Sequence, residues 1–273
     1  MTVVRIAAAA AQFDRDVERA LERVEVVIGA GHYARAALLA LPAATLGGLL
    51  AGDGGGTGGP TPIDPDGPEL RRVRRLAGSM IVCLGYTELV DGRPASAAVC
   101  LHGDGVLGHY RQVHARPQAA DSAPGDRLEA FDTPLGRLGL LLDLDKAFPE
   151  AARSLALDGA RIVACLSAWP ASTTQRAIRL PQDRQSRLFD LYDCARAAEN
   201  QLVWVSANQS GTQDGLRFLG QSKVVGPGGE VLARTAAKAG LAVAELDVDT
   251  TITAQRQEHD HLAGRRPELY RDK

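Results

Sequence analysis

The chain of 273 residues is 45% hydrophobic, 23% charged and 4% aromatic, enough apolar material for one sizeable core, which excludes global disorder. Its 31 Lys and Arg stand against 33 Asp and Glu for a net charge of −2, with neither sign concentrated, so a nucleic-acid footprint is not expected. One domain over 1–273 is expected, because α/β folds of this size are commonly a single unit.

In chain order, the pattern predicts a buried strand over 3–11 and a helix over 14–28 with Val17, Leu21, Val24 and Val27 on one face. A second apolar run, 36–41, ends at Pro42. The stretch 52–68 is rich in Gly and Pro and reads as a surface loop. Within it Gly54, Gly56 and Gly59 satisfy a literal GxGxxG, but Pro60 and Pro62 follow where a dinucleotide fingerprint needs a helix. Next come a helix over 70–78, a strand over 80–86 and strands over 97–101 and 108–114, with turn signals at Asp91-Gly92 and Gly103-Asp104-Gly105 that predict antiparallel pairs. Arg71, Arg72, Arg74 and Arg75 on that helix read as a solvated face. A strand over 138–144, a helix over 149–158 and a buried strand over 161–166 follow. The last elements are a helix over 186–199, a strand over 202–207, a hairpin over 223–232 turning at Gly226-Pro227-Gly228-Gly229, and a strand over 242–248. Strands alternating with helices, with hairpins between, predict an α/β layered fold.

Cys83, Cys100, Cys165 and Cys194 have neither CxxC nor zinc spacing and sit among apolar neighbours, as expected of small buried hydrophobes in a reducing cytosol. No stretch reaches a membrane span, and 1–5 lacks the pattern of a signal peptide. A soluble cytoplasmic protein is the expectation.

Several blocks carry a family resemblance: Arg5-Ile6-Ala7 with Gln12-Phe13, Leu41-Pro42 with Leu46-Gly47-Gly48, and Gly108-His109-Tyr110-Arg111 with Val113-His114. Further on come Pro124-Gly125-Asp126, Thr133-Pro134-Leu135-Gly136-Arg137-Leu138-Gly139, Phe148-Pro149-Glu150-Ala151-Ala152-Arg153, Ala195-Arg196-Ala197-Ala198-Glu199-Asn200 and Gly226-Pro227-Gly228-Gly229-Glu230-Val231. In order and spacing, over essentially the whole chain, they resemble the nitrilase, or carbon-nitrogen hydrolase, superfamily. The resemblance implies an α-β-β-α sandwich, usually a homodimer, acting on a small molecule. It also implies three catalytic residues: a Glu as general base, a Lys that stabilises the oxyanion, and a Cys nucleophile that forms an acyl-enzyme. This sequence holds Ala43, Gln112 and Asp143 at those positions, with Ala44 beside the first, and the nearest cysteine in sequence to the third is Cys165. The acidic residue that the family carries after its Lys has no clear match, Asp121 being the only acidic residue over 114–123.

A carboxylate is a weak nucleophile, so the amidase route is not expected. With the family's lysine replaced, Asp143 would lack a neighbouring cation and burial would raise its pKa, making it a usable general acid or base that Gln112 could orient. The resemblance gives Asp145, two residues on, a structural role, although a regular strand would put it on Asp143's face. His114 matches a common family residue and reads as packed or ligand-contacting; Trp169, in Ser167-Ala168-Trp169-Pro170, lies where the family lines its pocket. Arg137 and Glu150 are expected to support the fold, and Arg196 with Glu199 an i, i+3 ion pair. Three readings follow. In the first, Asp143 performs noncovalent acid-base chemistry, such as cyclisation, imine formation or dehydration, on a small nitrogen-containing or carbonyl metabolite, with Gln112, His114 and Trp169 contacting it. In the second, the protein is a catalytically inactive ligand-binding or regulatory scaffold. In the third, residual hydrolysis uses a water activated by Asp143. No metal or organic cofactor is suggested.

Overall fold

In the computed structural model, residues 2–50, 60–116, 119 and 121–270 are described; Gly54, Gly56 and Gly59 lie outside them. The chain opens with β1 (Val4–Ala11), α1 (Val17–Tyr33), β2 (Leu38–Ala40), α2 (Pro68–Ala77), β3 (Ile81–Val90), β4 (Arg93–His102) and β5 (Gly105–Arg111). Strand β1 lies between antiparallel β13 (Gly240–Leu246) and parallel β2, and the sheet continues through β3, β4 and β5. A second set follows: β6 (Leu138–Leu142), α3 (Pro149–Leu157), β7 (Ile162–Ser167), α4 (Arg184–Asn200), β8 (Val203–Gln209), β9 (Thr212–Gln213), β10 (Leu216–Arg217), β11 (Lys223–Val225) and β12 (Val231–Arg234). It gives the sheet β6-β7-β8-β11-β12, joined to the first where Ala10 and Ala11 run parallel to Asn208 and Gln209.

The alternation of β1 divides the core. Ile6 and Ala8 point into the layer between the sheets, with Leu140, Val163 and Val205, while Ala7, Ala9 and Ala11 pack against Leu21, Val24 and Ile28 of α1 and Val73 of α2. The all-apolar β6 and β7 are buried on both faces, between the first sheet and the helical layer that includes Ala151, Ala152 and Leu155 of α3. The resulting layers are α-β-β-α, as the resemblance implied.

Local chemistry sets the element ends. Asp16 caps α1 by accepting from Arg19 N–H at 3.0 Å, and Asp183 caps α4 by accepting from Gln185 N–H at 2.8 Å. Arg71 and Arg75 are exposed, and Arg72 crosses to Glu18 and Glu25 of α1, in keeping with a solvated face. The cysteines are free, three buried and Cys194 half-buried. Arg137 ties Ala130 O and Asp158 into one turn.

Three expectations need correction. The strand predicted over 138–144 ends at Leu142, and Asp143–Ala147 forms a 3-10 turn, because the buried Asp145 carboxylate accepts from Leu142 N–H and draws the chain round. Asp143 and Asp145 therefore do not share a strand face. Helix α5 (Val248–Glu258) was not expected: β-branched Thr250, Thr251 and Ile252 disguise it, although Asp247 accepts from Thr250 N–H as its cap. The short β9–β10 hairpin was also missed, being only two residues per strand.

Candidate functional site

The carboxyl ends of parallel strands β2, β6 and β7 meet the end of β5 at one edge of the sandwich, the usual place for a ligand crevice in sheets of this kind. There the chain builds a cavity of about 80 Å³ lined by Ala43, Ser96, Gln112, Arg116, Asp143 and Ala168 among others. Positions 43, 112 and 143, which come from three distant segments, are thus brought to one cavity.

Each is placed by backbone contacts. Ala43 follows β2 through Pro42; its N–H reaches Ser167 O at 3.3 Å and its carbonyl accepts from Gln209 Nε2 at 3.0 Å. This loop crosses β3 so closely that a Cβ on Gly85 would lie 2.6 Å from Ala43 Cα, so only glycine fits there. Gln112 leaves β5 and donates from Nε2 to Leu142 O at 3.2 Å, one residue short of Asp143. It orients the end of β6 rather than the Asp143 carboxylate.

Asp143 occupies the first position of the turn with φ of +43°, a left-handed conformation that Asp tolerates better than most residues. Strained strand-to-helix corners of this kind aim a side chain into a site. The half-buried carboxylate accepts from Ala168 N–H at 2.8 Å through Oδ1. Burial pushes its pKa above the ordinary carboxylate range, against the opposing pull of Arg116, the Ala168 N–H and Lys146.

The sequence reading that Asp143 lacks a neighbouring cation is therefore corrected. Arg116 stands on the loop after β5 with its guanidinium carbon 4.9 Å from the centre of the Trp169 ring. Its Nη2 is buried without a hydrogen-bond partner among the described residues. Arg116 was missed because nothing in the local pattern separates it from an ordinary loop arginine.

His114 and Trp169 are not among the residues lining the cavity. His114 Nδ1 lies 3.0 Å from Asp145 Oδ1, and its ring stacks on Phe148 at 3.8 Å. Asp145, fully buried, also accepts from Tyr110 Oη–H at 2.7 Å and His114 N–H at 2.8 Å, so it and His114 form the frame that holds the turn. Trp169 packs with Leu180, Phe189 and Leu219 and donates from Nε1 to Gln185 at 2.9 Å, reaching the cavity only through Arg116 on its face. Arg196 pairs with Glu199 at 2.8 Å as expected and also donates to Lys146 O at 2.9 Å, steadying the far end of the turn.

Cys165 lies within β7, fully buried, and burial pushes its thiol well up. Behind Trp169, the fully buried Lys146 and Lys223 hold Asp193 between them at 2.9 and 2.7 Å. Burial would raise the Asp193 carboxyl, but the two ammonium groups pull it below its ordinary value; burial lowers the Lys146 ammonium. Among the described residues, no cluster of three or more His, Cys, Asp or Glu could hold a metal ion, and no helix is long and apolar enough to cross a membrane.

A family model described as carbon-nitrogen hydrolase matches residues 5–256. The chain is 30% identical over 217 residues to a probable nitrilase of Schizosaccharomyces pombe, covering 77% of this chain and 75% of that protein. It is 34% identical over 199 residues to an (R)-stereoselective amidase of Pseudomonas sp., covering 72% and 67%. Among solved structures, a carbon-nitrogen hydrolase from Helicobacter pylori G27 superposes with a TM-score of 0.84 at 21% identity, covering 98% of this chain and 97% of that one. A variant of the amidase from Nesterenkonia sp. AN1, with the acetamide moiety of fluoroacetamide covalently added at its active site cysteine, superposes with a TM-score of 0.77 at 22% identity, covering 97% and 95%.

Proposed function

The chain belongs to the carbon-nitrogen hydrolase family, and from that premise we propose that it has left the family's cysteine-dependent route and acts on a small metabolite by noncovalent acid-base chemistry at Asp143. The observation that carries the reading is the carboxyl of Asp143 at a left-handed corner, facing the cavity with its pKa raised by burial.

The chemistry follows from what the cavity holds. Covalent addition of an acetamide moiety in the Nesterenkonia amidase takes place at a cysteine, whereas no cysteine is among the residues lining this cavity. The position at which the resemblance expects a base carries Ala43, and the one at which it expects a cationic oxyanion donor carries Gln112. An acyl-enzyme would need all three functions. A carboxyl whose proton affinity is raised toward neutrality can instead give or take one proton without forming a bond to carbon. Asp143 Oδ1 is occupied by the Ala168 N–H, leaving Oδ2 to face a ligand. We further infer a single-domain cytoplasmic homodimer.

The test compares wild type with Asp143→Asn, which keeps the shape and the Ala168 contact but cannot titrate. Both are incubated with a metabolite extract and followed by mass spectrometry. A metabolite consumed only by wild type is the expected result. Consumption that persists in Asp143→Asn, or release of ammonia from simple amides at equal rates by both, would overturn the proposal.

A further inference from the structure

Two opposite charges face the cavity. Arg116 and Asp143 both line it, and Arg116 is the leading charge opposing the effect of burial on the Asp143 carboxyl. Arg116 keeps one buried N–H unpartnered among the described residues, and its guanidinium lies over the face of Trp169. A guanidinium carries five N–H donors in a planar fork that matches a carboxylate. Asp143 accepts from Ala168 N–H, and Gln112, which also lines the cavity, donates its amide N–H to Leu142 O and keeps its side-chain oxygen as an acceptor. The lining therefore offers donors to an anion and acceptors to a cation.

Resting on the acid-base reading above, we propose that the cavity takes a short zwitterion: an amino acid whose carboxylate is held by Arg116 and whose ammonium faces Asp143 and Gln112. Charge balance decides between ligand classes. An anion without a cationic group gains Arg116 but meets the Asp143 carboxylate, and a cation without an acid group gains Asp143 but meets Arg116. In a partly desolvated cavity each mismatch is costly, because Coulomb interactions there are several-fold stronger than in water. A zwitterion supplies a counterion to both and restores neutrality. The cavity volume of about 80 Å³ favours a compact molecule, and Leu49, Leu50, Pro170 and Leu216 give it an apolar wall for a short side chain.

The test is calorimetric titration of wild type with the twenty common amino acids, β-alanine and γ-aminobutyrate, against the single-charge probes propionate, butyrate, propylamine and butylamine. At least one zwitterion is expected to bind roughly tenfold to a hundredfold more tightly than the single-charge probe of its length, the effect of one charged hydrogen-bonding group. Arg116→Gln should abolish the preference over the amine, and Asp143→Asn the preference over the carboxylate. Arg116→Lys, which keeps the charge but not the fork, should lose part of the affinity and carries the test if Arg116→Gln does not fold. Single-charge probes that bind as well as zwitterions, affinities unchanged in these variants, or no zwitterion binding at all would overturn the proposal. A metabolite turned over by wild type and not by Asp143→Asn, in the absence of zwitterion binding, would leave the acid-base reading standing and remove only this one.

Discussion

Two groups of charges meet at the ring of Trp169, and the fold treats them in opposite ways. Lys146, 5.1 Å from the ring centre, belongs to a closed cluster: Lys146 and Lys223 share Asp193, which also accepts from Trp204 Nε1 at 2.9 Å, while Lys223 adds Asp190 at 3.0 Å. Both ammonium groups lie over the ring of Phe189, 3.3 and 4.0 Å from its centre. Arg116, at 4.9 Å, and Asp143 line a cavity instead. In the first set Lys146, Lys223 and Asp193 are fully buried and complete their own pairing; the second lines a cavity. Charge in this molecule is structural where it is closed and available for chemistry where it is left open.

The contrast is broken most severely by Asp193→Ala. That variant leaves two lysines buried without their shared carboxylate, and removing one partner of a buried ion pair typically costs about 3–5 kcal/mol. Denaturant unfolding is expected to show a loss of that size, and a loss under about 1 kcal/mol would mean that the cluster is not the closed unit described.

The open side should respond with the opposite sign. A carboxyl whose folded pKa is raised costs stability once it ionises: the cost is absent below the unfolded value of 3.8, enters as pH rises through the folded value, and is fully present above it. Asp143→Asn removes that cost. It should raise the melting temperature at neutral pH, with the difference shrinking as pH falls toward 4. A variant less stable than wild type at neutral pH would show that the Asp143 carboxylate is paired like Asp193 rather than held open.

Much of the fold is legible in the sequence because its strands are apolar runs bounded by turns, and because β1 alternates between two cores through small alanines. Asp143 is also legible, since it stands in a block with recognisable neighbours. Strand periodicity alone would put Asp145 on the face of Asp143, but Asp145 caps the end of β6 and turns the chain, an effect of tertiary bonds to His114 and Tyr110 rather than of local propensity. His114 was legible as a packed residue, but not as a contact, because its ring is spent on Asp145 and Phe148. Arg116 could not be singled out: its role depends on a loop that lays it across Trp169, a residue 53 positions away. Lys146, Asp193 and Lys223 are likewise far apart in sequence, and each looks like a surface charge until the fold brings them together.

The central claim, that Asp143 is an open carboxyl tuned by burial and by Arg116, is tested most directly by carbon-13 NMR titration of aspartate carboxyls, with the Asp143 signal assigned by its loss in Asp143→Asn. The account predicts a titration above the ordinary value of 3.8 in wild type, moving higher still in Arg116→Gln as the opposing cation is removed. A titration at or below 3.8, unmoved by Arg116→Gln, would contradict it.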